Sequence, residues 1–277
     1  AAGWKRTKCM KTLSSKFANF SIQYNFNSIT LALVFATTPS PTSPAIRNIT
    51  DVQDSLLKSF VFAGAVVGQL CMGYLGDCWG RENAMIFTNA LVVFGALASA
   101  LGSYGTDDTF VVVCLISRLI IGLGIGGNYP LAATMSSEAG AELSTAKAGY
   151  KAASSFLWQV PGLLAVYLIG LFFALAYEAN PAANGTHPSG LDHQAEADLA
   201  FRFILGLGAI PSGVVVMLLW IVRCKNRKFA LARKMAAARN NEPPPKQDNL
   251  CVVLKRNPGY FKYLIATAGC WFLYDVM

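Results

Sequence analysis

The chain has 277 residues, of which 54% are hydrophobic and 14% are charged, and its net charge is +8. That charged share lies well below the roughly 25% of a soluble domain, so an ordinary water-soluble enzyme is excluded. The positive charge gathers in segments that flank apolar runs, which gives no reason to invoke nucleic acid.

Residues 1–16 form a basic segment containing Lys5, Arg6, Lys8, Lys11 and Lys16. Apolar runs follow at 17–37, 55–76, 84–103, 109–135, 152–177 and 201–222, and a seventh begins near residue 260. Each is about 20 residues or longer, enough to cross about 30 Å of hydrocarbon as a helix. They are interrupted mainly by Gly, Ser, Thr and Pro, which predicts an all-α polytopic membrane protein. After the six-helix unit 17–222 comes a basic linker, 223–257, rich in Lys and Arg from Arg223 to Arg256. Its first part predicts a short surface helix ending before Pro243. Residues 258–277 open a further helix, and the chain stops inside that apolar run, so more residues are expected beyond Met277.

Lys and Arg mark the cytosolic side of a membrane protein. With the N-terminus inside, six crossings return the basic linker to the same side. The loops then placed outside, 38–54, 104–108 and 178–198, hold one basic residue, Arg47. Asn48-Ile49-Thr50 and Asn184-Gly185-Thr186 match the glycosylation acceptor pattern and fall in outer loops. A glycosylated plasma-membrane protein in contact with anionic lipid is therefore expected. The seven cysteines fall in membrane or cytosolic segments and read as packing residues. No Cys/His cluster, Ser/His/Asp arrangement or carboxylate pair stands out, so no metal, cofactor or catalysis is expected.

Within the fourth run, Gly122, Gly124 and Gly127 fit the spacing G-x-G-x-x-G. A dinucleotide loop would need a strand before it and a helix opening after it. The flanks TFVVVCLISRLIIGL and PLAATM are instead continuous apolar sequence. Gly122 and Gly126, four apart, suit two membrane helices whose backbones approach closely.

Gly73 to Arg81, G-Y-L-G-D-C-W-G-R, resembles the cytosolic loop signature of the major facilitator superfamily, G-x-L-x-D-x-x-G-R. The resemblance implies that Asp77 at the inner end of helix 2, and Arg81 after a Gly80 turn, lock a cytosolic gate. Arg118, four residues before Gly122, resembles that superfamily's helix-4 arginine, and a buried arginine in lipid needs a partner. The fold implied is the six-helix N-terminal half of a twelve-helix transporter plus the start of helix 7. Gly124 to Glu138, G-I-G-G-N-Y-P-L-A-A-T-M-S-S-E, is similar to the helix-4 signature of phosphate:proton symporters. Ser155 to Gly162 and Ala268 to Asp275 resemble that family's helix-5 and helix-7 segments.

Carried onto this chain, the resemblance implies a phosphate site of Tyr129, Gln159, Trp271 and Asp275. Counting from the helix ends at about 1.5 Å per residue places all four near mid-depth, where alternating-access sites lie. Tyr, Trp and Gln can donate hydrogen bonds to phosphate oxygens. A neutral Asp275 would donate another, and low dielectric favours that proton-bearing form. The chain departs from the family at two acids. Asn128 stands where aspartate is usual, and the helix-1 segment S-I-Q-Y-N-F-N places Tyr24 and Asn25 nearest to the usual carboxylate. Asp275 is then the remaining visible proton carrier. The expected function is secondary transport of phosphate or a related anion, coupled to protons, to another ion, or, with those acids missing, to none. Transport of another solute, such as an organic phosphate or a sugar-like molecule, and a non-transporting receptor of the same fold are the alternatives.

Overall fold

A computed structural model describes residues 2–38, 47–141, 145–178 and 193–239. The chain divides into a compact unit, Ala1–Asn226, and a second unit, Arg227–Met277. All the regular structure described is helical: α1 (Ala2–Thr37), α2 (Asp51–Trp79), α3 (Arg81–Leu101), α4 (Asp107–Ala141), α5 (Thr145–Phe156), α6 (Gln159–Glu178), α7 (His193–Leu207) and α8 (Ala209–Arg239). Trp271, Asp275, Asn184 and the start of helix 7 lie outside the described residues, as does the side chain of Asp77.

Local chemistry sets the boundaries. The Thr50 side chain accepts from the Gln53 N–H, and the Gln53 side chain accepts from the Thr50 N–H at 2.9 Å, a capping box that starts α2. Gly80 has φ +86°, which favours glycine, and it turns the end of α2 directly into Arg81 at the start of α3. Two expected helices are broken. The run 152–177 divides at Leu157 and Trp158, because Pro161 has no N–H to donate to the Leu157 carbonyl. That carbonyl accepts from Val160 instead, at 3.2 Å. The run 201–222 divides at Gly208, three residues before Pro211, for the same reason. At the other end of the chain, α1 begins at Ala2, so the basic segment and the first apolar run are one helix.

Five segments are long and apolar enough to cross a membrane: Asp51–Gly76, Arg81–Leu101, Asp107–Ser137, Gly149–Ala176 and Ala197–Lys225. Two of these bridge the breaks between α5 and α6 and between α7 and α8. α1 is too polar to join them by hydropathy, yet it packs along the others at matching depths. Phe20 lies against Gly162, Leu31 against Gly170, and Phe35 against Phe173, so α1 and α6 run parallel. Ser21 bonds Ser212 and Asn25 bonds Gly208, so α1 and the α7–α8 crossing run antiparallel. This is the alternation that six successive crossings require, with α1 as the first.

Exposure is inverted relative to a soluble protein. Leu70 is 76% exposed and Phe172 67%, while Asn19 and Asn128 are 0% exposed, which identifies the surrounding solvent as lipid. The interior is stratified. One apolar layer gathers Ile29, Leu33, Phe110, Phe201 and Ile204. Another gathers Met85, Leu131, Met135, Val215 and Leu219. Between these layers α1, α3, α4 and α8 carry buried polar residues, Ser21 and Asn25, Thr88 and Asn89, Arg118 and Asn128, and Ser212, interleaved with the apolar Ile22, Val92, Ile121 and Ile125.

Candidate functional site in the polar layer

The glycines of α4 first show what this layer is built against. A Cβ on Gly122 would strike the Val61 carbonyl, and one on Gly126 the Ala65 carbonyl. From the other side, Gly64 and Gly68 meet the carbonyls of Leu119 and Leu123. The backbones of α2 and α4 therefore touch, as small residues allow in membranes. Gly124 abuts the Thr88 carbonyl of α3 in the same manner, while Gly127 faces the side chains of Thr88 and Met72. The glycine spacing packs helices and leaves no room for a phosphate.

Asn128 points into that closed region. Its Oδ1 accepts from Thr88 Oγ1 and from Asn89 Nδ2, both at 2.8 Å, and its Nδ2 donates to Asn89 Oδ1 at 3.3 Å. Both the oxygen and the nitrogen of the amide are bonded to α3. Tyr129, the next residue, is 5% exposed. Arg118 and Asn25 come together across α4 and α1, where Arg118 Nη1 donates to the Asn25 carbonyl at 3.0 Å. The Asn25 side chain donates to the Gly208 carbonyl at 3.1 Å and braces the break before α8. Tyr24 donates to the Ile204 carbonyl at 2.9 Å. The partner that Arg118 needs is thus a backbone carbonyl, and none of the ion pairs among the described residues reaches it.

Gln159 lies elsewhere, at the first turn of α6 and facing α1. Its Nε2 donates to Asn19 Oδ1 at 3.0 Å, and its Oε1 accepts from Gln23 Nε2 at 3.4 Å. Asn19 in turn donates to Ser155 Oγ at 3.0 Å, and Asn27 donates to Gln23 Oε1 at 3.3 Å. Four amides and a hydroxyl form one chain across the α1–α6 seam. Its Asn19–Ser155 end is fully buried, while Gln159, Gln23 and Asn27 are half-buried. The break at Leu157 and Trp158 makes this possible, because it lets the seam pass from α5 to α6 between Ser155 and Gln159.

Sequence reasoning singled out Gln159 as a candidate without these hydrogen-bond partners. The signal was present: Asn19, Gln23 and Asn27 recur every fourth residue, which places them on one face of α1. At the membrane boundaries, Lys11 pairs with Glu82 at 2.6 Å at one end of the bundle. At the other end, Arg47 and Arg202 donate to the carbonyls of Gly105 and Ala100, at 2.6 and 2.7 Å, and tie the α3–α4 turn to its neighbours. Asn48 is exposed beside Arg47, and its backbone N–H donates to Asp107 at 3.3 Å.

The family description "Sugar (and other) transporter" matches residues 9–254. Among curated proteins, the chain is 32% identical over 262 residues to "Inorganic phosphate transporter PT2" of Toxoplasma gondii, covering 94% of this chain and 40% of that protein. It is 30% identical over 248 residues to "Probable inorganic phosphate transporter 1-8" of Oryza sativa subsp. japonica, covering 79% and 44%. The chain thus spans less than half the length of these relatives. Among solved structures it is similar to a partially occluded, inward-open xylose transporter XylE from E. coli, with TM-score 0.58 and 17% identity over 77% of this chain and 49% of that one. A D-xylose-proton symporter gives TM-score 0.55 at 20% identity, covering 84% and 53%. At these identities the structural likeness shows the fold.

Proposed function

Because this chain belongs to the sugar (and other) transporter family, within the major facilitator superfamily, we propose that it moves inorganic phosphate or a closely related small oxyanion by alternating access. The observation that carries this reading is Gln159. It is an uncharged donor on the α1–α6 seam, half-buried and held in a fixed orientation by Asn19. The 32% identity to a protein named an inorganic phosphate transporter supports the choice of substrate.

In this reading Tyr129, Gln159, Trp271 and Asp275 donate to the phosphate oxygens. A protonated Asp275 donates without repelling the anion, and its proton travels with the substrate. Arg118 contributes a permanent positive charge to the polar layer, and in low dielectric that charge favours entry of an anion over a cation. Asn25 and Asn128 bear no titrating group, so coupling falls to Asp275 alone. Asp77 and Arg81 close the side on which α2 meets α3. The basic segments orient that side and the N-terminus toward the cytosol, at the plasma membrane, with Asn48 and Asn184 outside and open to glycosylation.

Phosphate uptake by the full-length protein in liposomes, with and without an inward proton gradient, tests this directly. Wild type is expected to concentrate phosphate on the gradient, and Asp275→Asn to bind phosphate yet fail to concentrate it. Asp77→Asn is expected to slow uptake at normal surface expression. Accumulation by Asp275→Asn would overturn the proton-carrier role. Uptake of an organic phosphate or a sugar in place of inorganic phosphate would overturn the substrate.

A further inference from the structure

The amide chain on the α1–α6 seam has no freedom in its polarity. At one end, Asn19 Nδ2 donates to the Ser15 carbonyl at 3.0 Å, and a backbone carbonyl can only accept. Asn19 Oδ1 must therefore be the acceptor toward Gln159, so Gln159 faces it with Nε2 and turns Oε1 toward Gln23. At the other end, Asn27 Nδ2 donates to the Gln23 carbonyl at 2.9 Å, which fixes Gln23 Oε1 as the acceptor toward Asn27. The two ends impose the same direction on every amide between them.

Each carboxamide nitrogen carries two N–H donors. Asn19 uses both, on Ser15 and Ser155. Asn27 uses both, on the carbonyl and the side chain of Gln23. Gln159 uses one, on Asn19, and Gln23 uses one, on Gln159. Two N–H groups are left over, and they belong to the adjacent pair Gln23 and Gln159. Both residues are half-buried, whereas the fully engaged Asn19 lies inside.

We infer that Gln23 is a second substrate ligand, which with Gln159 presents a pair of neutral N–H donors to one oxyanion. This rests on the reading above that Gln159 binds phosphate. A paired donor suits two oxygens of a tetrahedral anion, and a neutral pair avoids the competing carboxylate that a charged donor would attract. Asn19 acts behind them as a positioning residue, because its removal would release the polarity of the whole chain.

Phosphate uptake by full-length protein in liposomes, with thermal unfolding of each variant, tests the assignment. Gln23→Leu is expected to raise KM for inorganic phosphate about tenfold, the loss of one hydrogen bond to a charged ligand, with Vmax and its response to the proton gradient little changed. Gln23→Glu is expected to lose more, because a carboxylate would face both Gln159 Oε1 and the anion. Gln23→Asn keeps an amide on a shorter arm, and it is expected to raise KM severalfold even if the leucine variant does not fold. A wild-type KM in folded Gln23→Leu or in Gln23→Asn, beside a wild type that carries phosphate, overturns the role of Gln23 and leaves that of Gln159 standing. Absence of phosphate uptake by wild type overturns both, and that control separates the two failures.

Discussion

Two seams of this helical bundle cross the same membrane and are built in opposite ways. Between α2 and α4 the contact is backbone against backbone, with Gly64, Gly68, Gly122 and Gly126 removing every side chain that could hold the helices apart. Between α1 and α6 the contact also closes at Gly162, against the Phe20 carbonyl, but beside it runs a chain of four amides, three of them half-buried. A seam packed through glycine excludes ligand and water and fixes the helices relative to each other. A seam lined with amides keeps donors available for something else. The difference separates the scaffold of the bundle from its candidate site.

The largest effect is expected from breaking the closed seam. Gly126→Val would drive its side chain into the Ala65 carbonyl, and backbone cannot yield as a side chain can. A loss of about 3 kcal/mol or more is expected, seen as failure to fold or a strongly lowered unfolding temperature in detergent. Gly73→Ala, where nothing lies within 4 Å, is expected to be close to neutral and shows that the loss belongs to the seam.

Next comes the closed amide cluster on α3 and α4. Asn128→Leu would leave one buried Asn89 N–H and the Asn89 Oδ1 without their partner, while Thr88 keeps the Met85 carbonyl, costing about 1–3 kcal/mol in thermal unfolding. Asn128→Asp sharpens the point through pH. The oxygen replacing Nδ2 would face Asn89 Oδ1, so the carboxyl must keep its proton to donate there. The unfolding temperature of that variant is expected to fall from acid to neutral pH by more than that of wild type.

In the open seam the effect should move from stability to affinity. Gln159→Ala is expected to raise KM for phosphate about tenfold, with a smaller loss of stability than Asn128→Leu because water can enter the half-buried position and donate to Asn19 Oδ1 in its place, measured by uptake and melting of the same preparation. An equal loss of stability in Gln159→Ala and Asn128→Leu would erase the distinction between the seams. The smallest effect belongs to the rim. Lys11→Ala breaks the partly exposed pair with Glu82, and a change below about 1 kcal/mol is expected, diminished further by salt.

The crossings were legible in the sequence because each apolar run must satisfy its backbone within itself in lipid, which leaves helix as the solution. The Gly73–Arg81 turn was legible for the same kind of reason, since Gly80 with φ +86° follows from local chain sterics. Gln159 was legible through the family resemblance. Its surroundings were not. Nothing local required Asn19, Gln23 and Asn27 of α1 to meet α6, because the pairing joins residues 136 and 140 positions apart. Nor could sequence decide that Asn128 turns toward α3 while Tyr24 turns toward α7.

The sequence by itself determined what each segment is: a membrane helix, a tight turn, or a small-residue face able to pack closely. Only the tertiary structure decided which polar groups satisfy one another and which keep a donor in reserve. The physical reason is that hydrophobicity and chain sterics act residue by residue, whereas a hydrogen bond in the membrane interior exists only when two distant segments arrive at the same depth with matching polarity.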